Sequence, residues 1–167
     1  MSASGHFLFM VVNKILCVAE KPSISKSVAQ ILSGGVFDTK STKNKFIKNY
    51  EFNSNHEGRN CKVTMTCLLG HLMDLEFTPE FRNWNNQTTD QLFTAPVVRK
   101  VKESMADLSQ NIEKLCRSTQ MLVIWTDCDL EGENIGSEVA DVCRKINPRI
   151  IVKRARFAVI QQRCQNN

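Results

Sequence analysis

Four carboxylates fall within one short stretch, at Asp127, Asp129, Glu131 and Glu133. Like charges at this density repel one another, and folding alone gives no reason to gather them. A divalent cation gives one: Mg²⁺ prefers hard oxygen ligands, takes one or two carboxylates directly and keeps several waters. A plain acidic helix N-terminus, favoured by the helix dipole, is the alternative. It accounts for Glu131 and Glu133 better than for Asp127 and Asp129, which precede the helix. A second pair with chemical potential, Glu20 and Lys21, directly follows the apolar run at 15–19 (ILCVA).

The flanking residues say how these groups are held. Residues 121–125 (MLVIW) have the length and composition of a buried strand. After the acids, Ile135, Val139 and Val142 recur at helical spacing, so a helix is expected to about Lys145. Residues 15–19 read as a central parallel strand buried on both faces. Pro22 suits the first turn of a helix; Ile24, Val28, Ile31 and Leu32 give that helix its apolar face, and 33–35 (SGG) stop it. Both reactive turns thus follow core strands, and in a parallel sheet both face one edge, where open α/β sheets bind ligands. If the two strands are neighbours, Glu20 joins Asp127, Asp129 and Glu131, with Lys21 beside them. Carboxylates with a lysine suit metal-assisted phosphoryl transfer: a metal to neutralise phosphate, Lys21 to stabilise a nonbridging oxygen, and one carboxyl group to move a proton.

The rest of the chain completes a βα, insertion, β, helix, β, α, β order, which predicts a mainly parallel, four-stranded, Rossmann-like α/β sheet flanked by helices. Residues 1–13 read as an N-terminal extension, 14–158 as the domain and 159–167 as a polar tail that looks like a chain cut off. Segments 36–60 and 76–99 read as insertions or loops. Within the first, 46–52 alternates like a strand and 53–60 reads as a loop. Lys40, Lys43, Lys45 and Lys48 form either a phosphate contact or a solvated face. Residues 61–69 are rich in β-formers and end in Gly70 and His71, a histidine with either a functional or a structural role. In the second segment Phe77, Phe81, Trp84 and Phe93 are expected to pin a long irregular loop. Residues 101–116 read as a helix, and 150–157 as a last strand ending in Arg154 and Arg156.

Composition limits the class. A hydrophobic content of 42% with 23% charged residues is globular, and a net charge of +5 is compatible with nucleic acid without requiring it. The seven cysteines are scattered without a CxxC pair, and the three histidines are isolated, so neither a zinc site nor a disulfide framework is legible. Reduced core thiols in an intracellular protein are expected. The apolar run at 7–12 is too short for a membrane span and lacks signal-peptide features.

Several separated motifs in order carry a resemblance. They are 17–22 (CVAEKP), 63–66 (VTMT) with 70–72 (GHL), 90–93 (DQLF) with 95–96 (AP), 124–129 (IWTDCD) and 154–157 (RARF). With the DxDxEGE pattern of 127–133, the chain resembles the Toprim domain of type IA DNA topoisomerases, of the eukaryotic topoisomerase III type. The resemblance implies ATP-independent breaking and rejoining of single-stranded DNA through a phosphotyrosine link, with Mg²⁺ as cofactor. It implies catalytic roles for Glu20, Lys21, Asp127 and Asp129, metal ligation by Glu20, Asp127, Asp129 and Glu131, and DNA contacts from Lys21, His71, Arg154 and Arg156. It also implies a nuclear location, with a RecQ-type helicase and an OB-fold accessory protein as partners of the full-length enzyme. Two departures stand out: Leu130 occupies a position where the family usually has Arg, and Tyr50, the only tyrosine, matches no active-site motif. The chain alone is therefore expected not to relax supercoiled DNA. Competing readings are another Toprim nuclease or primase-like enzyme, a non-catalytic DNA- or partner-binding fragment, and a receiver- or phosphatase-like domain with an aspartyl nucleophile.

Overall fold

The computed structural model describes residues 12–83, 85 and 88–157; Trp84, Cys164 and nearly all of the expected extension and tail lie outside them. Strand β1 (Lys14–Ala19) is the centre of the fold. Every residue after Lys14 in it is buried, as an unbroken apolar run requires. It pairs in parallel with β4 (Arg59–Cys67) on one side and with β7 (Met121–Trp125) on the other, and β8 (Ile151–Arg154) adds in parallel beyond β7. Strands β2 (Asp38–Ser41) and β3 (Lys48–His56) extend the sheet antiparallel beyond β4. The order is β2-β3-β4-β1-β7-β8. The parallel core has the four strands expected, and the two antiparallel strands make the sheet six-stranded.

Helix α1 (Pro22–Leu32) lies against β3 and β4, over the face that carries Tyr50, Phe52, Met65 and Cys67. Helix α3 (Ala106–Cys116) covers the opposite face, where Asn111 bonds Asn49 and Thr66. Helix α4 (Leu130–Ile146) packs on β7 and against α3. Leu16, Met65, Leu122, Ile112, Ile135 and Val139 are sealed between these layers. The connection from β1 runs toward β4, and that from β7 runs toward β8. The chain therefore winds in opposite directions from the β1–β7 pair, which is the switch point where an open α/β sheet leaves a crevice at the strand ends.

Three expectations are corrected. The loop expected at 53–60 is a hairpin: β3 continues to His56 and turns through Glu57 (φ 52°) and Gly58 (φ 78°) into β4. A two-residue turn with both φ values positive is the type whose twist matches paired strands. The irregular loop expected at 76–99 contains a second, two-stranded sheet, β5 (Met73–Phe77) with β6 (Val97–Val101), and the short helix α2 (Thr89–Thr94), which carries a capping box from Thr88 and Gln91. The helix expected from residue 101 accordingly begins later, at Ala106.

The cysteines among the described residues are free, and all but Cys128 are buried; burial pushes the Cys17 thiol up to about 12. The lysines of the first insertion find local partners: Lys40 reaches Glu51 at 2.7 Å, Lys43 reaches Gln110 at 2.9 Å and Lys48 reaches Ser41 at 3.1 Å. No helix among the described residues is long and apolar enough to cross a membrane.

Candidate active site at two strand ends

Because β1 and β7 are adjacent and in register, with Ala19 beside Trp125, the residues that follow them meet. The Glu20 N–H donates to the Trp125 carbonyl at 3.3 Å, continuing the ladder past the strand end. The Glu20 carboxylate, in a residue only 8% exposed, accepts the Asp127 N–H at 3.1 Å. Lys21 closes the pair: its Nζ lies 3.0 Å from Asp127 Oδ2 and 3.3 Å from Glu20 Oε1. Asp127 first, and then Glu20, push the Lys21 pKa above the ordinary lysine value. Two carboxylates from distant parts of the sequence thus converge on one cation.

The other acids take different places. Asp129 is the N-cap of α4; its Oδ1 accepts the Gly132 N–H at 2.7 Å, which satisfies one of the helix's free donors. Glu131 is exposed and stands 3.7 Å from His71 Nε2. Glu133 binds Arg154 Nε at 3.1 Å. Arg154 spends its remaining donors on the backbone, reaching the Asp127 carbonyl at 2.7 Å and the Ala155 carbonyl at 2.8 Å. It clamps the acidic turn from the β8 side. Arg156 is exposed.

Residues that the sequence pattern did not single out set the turn's shape. Buried Thr126 donates its hydroxyl to the Gly132 carbonyl at 2.6 Å, tying the end of β7 to the first turn of α4. A Cβ on Gly132 would run into the Asp127 carbonyl, and one on Gly136 would meet Ile124 Cγ2 at 3.0 Å. Glycine at these two positions lets α4 sit directly on the strand that delivers the acids. Glu138, two residues beyond Gly136 and 4% exposed, accepts the Leu72 and Met73 N–H groups and faces the His71 ring. The signal for the glycines lay in their spacing of four on one helix; an isolated Glu in a helix body carried none.

Comparison with known proteins places this arrangement. The Toprim domain model matches residues 15–160. The chain belongs to the Toprim domain family.

Eukaryotic DNA topoisomerases are among its curated relatives. This Toprim chain is 46% identical over 146 residues to DNA topoisomerase 3 of Schizosaccharomyces pombe, covering 86% of this chain and 24% of that protein. It is 42% identical over 149 residues to DNA topoisomerase 3-alpha of Arabidopsis thaliana and of Homo sapiens, covering 89% of this chain and 16% and 15% of those proteins. The Toprim chain therefore spans a quarter or less of the length of these relatives. A solved chain from a study of uridine phosphorylases of Phytophthora capsici aligns over 86% of this chain and 71% of its own at 14% identity, with a TM-score of 0.31, too slight a likeness to carry an argument.

Within this Toprim domain the donor set can be tested against a metal. Among the described residues no three carboxylates, imidazoles or thiolates form a ready-made cage. Glu20 and Asp127, however, present hard oxygens to a single positive centre, now the Lys21 ammonium. A pair of that kind fits Mg²⁺, which needs few protein ligands. Tyr50 does not belong to the site. It is buried in β3, edge-on to Phe37 at 5.2 Å, and burial raises its pKa.

Proposed function

We propose that this chain supplies the metal-dependent half of a DNA strand-breaking and rejoining centre, as the Toprim part of a type IA, topoisomerase III-like enzyme. The observation that carries the reading is the junction of Glu20, Lys21 and Asp127 at the switch point of the sheet. In this reading Lys21 leaves its carboxylate partners to bind a nonbridging oxygen of the scissile phosphate, and Glu20, shielded from water, holds or returns the proton of the departing oxygen. Glu20 and Asp127 would hold Mg²⁺, with Asp129 and Glu131 at its outer edge; when bound, the ion would neutralise phosphate charge. His71 and Arg156 would contact the single strand. Arg154 would act mainly by holding the Asp127 turn. The attacking tyrosine would come from another part of a longer polypeptide, because Tyr50 is packed in the core, so the chain alone would not relax DNA. A nuclear setting, with a RecQ-type helicase and an OB-fold accessory protein, belongs to the same proposal.

A chimera tests it. Residues 14–157 replace the matching segment of the Schizosaccharomyces pombe relative, and relaxation of negatively supercoiled DNA is followed with and without Mg²⁺. Metal-dependent relaxation that is lost with Glu20→Gln is expected. A folded chimera that binds single-stranded DNA yet forms no covalent cleavage complex would overturn the proposal.

A further inference from the structure

The most fully satisfied buried charge near the site belongs to a residue with no place in the phosphate chemistry. Glu138 projects from the body of α4 into the interior, with 4% of the residue exposed. Burying a carboxylate is costly unless it is paired and hydrogen-bonded. Here both oxygens are used. Oε2 accepts the N–H groups of Leu72 and Met73 at 2.8 and 3.1 Å, and Oε1 lies 3.0 Å from His71 Nδ1. Oε2 already takes two backbone N–H groups, and a carboxylate acts as an acceptor through Oε1 as well. The ring nitrogen facing it must therefore carry a hydrogen.

We infer that Glu138 is a positioning residue: it holds His71 by Nδ1–H and so dedicates Nε2 to the acidic turn. The ring stands between two elements. Its Nδ1 edge is fixed by α4, while its Nε2 edge looks toward Glu131 at 3.7 Å, on the exposed rim of the site. The partner of one ring nitrogen sets what the other presents. The same carboxylate fixes the backbone of 71–73, so ring and loop are placed together. With the hydrogen on Nδ1, Nε2 presents a lone pair, so the group it meets on a single DNA strand is a hydrogen-bond donor, a base N–H such as thymine N3–H, a clause that rests on the function proposed above.

The isosteric variant Glu138→Gln separates positioning from folding. Its one carbonyl oxygen can keep both backbone N–H bonds, since Oε2 alone already takes both. Its NH₂ then faces His71 Nδ1 and requires that nitrogen to accept, which inverts the tautomer. Long-range ¹H–¹⁵N correlation on ¹⁵N-labelled chain reads this directly. The expected result is an Nδ1–H ring in the wild type and an Nε2–H ring in Glu138→Gln, with both proteins folded by their amide spectra. A wild-type ring in the Nε2–H form, or a ring unchanged by the substitution, overturns the inference. Binding of a fluorescent oligothymidine gives the second readout. Glu138→Gln and His71→Ala should each weaken it by roughly 5-fold, the scale of one neutral hydrogen bond, because the Glu138→Gln variant's Nε2–H would face the base N–H, and the double variant should lose no more than either alone. Additive losses overturn the coupling. A wild type that binds no DNA but shows the Glu138-dependent tautomer supports the positioning role and sinks the DNA reading, so the two fail separately.

Discussion

The backbone N–H of Asp127 donates to the side chain of Glu20 at 3.1 Å across 107 positions of sequence. The bond makes Glu20 part of the turn's framework as well as a charge within it. Glu20→Gln keeps an acceptor for that N–H, whereas Glu20→Ala leaves it without one. Removing a partner from a buried donor costs roughly 1–3 kcal/mol. Urea unfolding should therefore show Glu20→Ala destabilised by that amount and Glu20→Gln by well under half of it. Equal midpoints for the two variants would rule out the framework role.

Gly132 faces the turn that follows β7 and Gly136 faces β7 itself, so what they touch differs. A methyl group on Gly132 meets backbone, the Asp127 carbonyl, which cannot yield without moving the acidic turn; on Gly136 it meets the end of a side chain, Ile124 Cγ2, at 3.0 Å. Overpacking costs about 1–3 kcal/mol or more, while replacing glycine by alanine inside a helix returns up to about 1 kcal/mol. Gly132→Ala should be clearly destabilising and should disturb the Asp127 amide resonance. Gly136→Ala should lie near neutral. The opposite ranking in thermal melts would contradict this geometry.

How much of this was legible in the sequence follows from which signals are local. The runs at 15–19 and 121–125 are continuous and apolar because they lie in the sheet's interior, so strand, turn and helix could be read, and with them the meeting of Glu20 and Asp127. The β5–β6 sheet was missed because β6 is exposed over most of its length, so burial imposes no alternation on it, and because prolines and asparagines surround it. The hairpin at Glu57 and Gly58 was missed because Asn53, Asn55 and Asn60 read as loop residues although they lie in paired strands. The resemblance implies a DNA contact for Arg154 and says nothing of the bonds it makes within the fold. Its four bonds to Asp127, Ala155, Ile124 and Glu133 depend on β8 lying beside β7, which no local pattern encodes.

Glu51 gives a test by pH. Lys40 first, then Lys62, hold its carboxyl below the usual carboxylate range, at contacts of 2.7 and 2.8 Å. A depressed folded-state pKa contributes stability that is present above the unfolded value, about 4.3, and is lost as pH falls through the folded one. The stability gap between wild type and Glu51→Gln should be constant near neutral pH and close as pH falls below about 4. Melting temperatures across that range check it; a gap that widens on acidification would reverse the assignment.

Leu130 opens α4 beside the acids and is 90% exposed, so its side chain contributes little to packing. An arginine there, the residue usual in the family it resembles, should leave stability within about 0.5 kcal/mol. It should add a phosphate contact. Leu130→Arg is expected to tighten single-stranded DNA binding and to steepen the salt dependence of log K by about 0.7. An unchanged slope would mean that the strand does not pass the start of α4.

The metal assignment separates Asp127 from Asp129 because the two carboxylates have different commitments. Asp127 Oδ2 already faces a cation, the Lys21 ammonium, whereas one Asp129 oxygen caps α4 at 2.7 Å. If Mg²⁺ replaces the ammonium between Glu20 and Asp127, it stabilises the folded chain by mass action, about 2.7 kcal/mol at a free concentration 100 times the Kd. Asp127→Asn should abolish that stabilisation. Asp129→Asn keeps an oxygen for the cap and should lose only part of the stabilisation, with little change in metal-free stability, while Asp129→Ala should also cost about 1 kcal/mol from the lost cap. Thermal unfolding with and without Mg²⁺ distinguishes these outcomes. Equal Mg²⁺ stabilisation in wild type and Asp127→Asn would place the ion elsewhere.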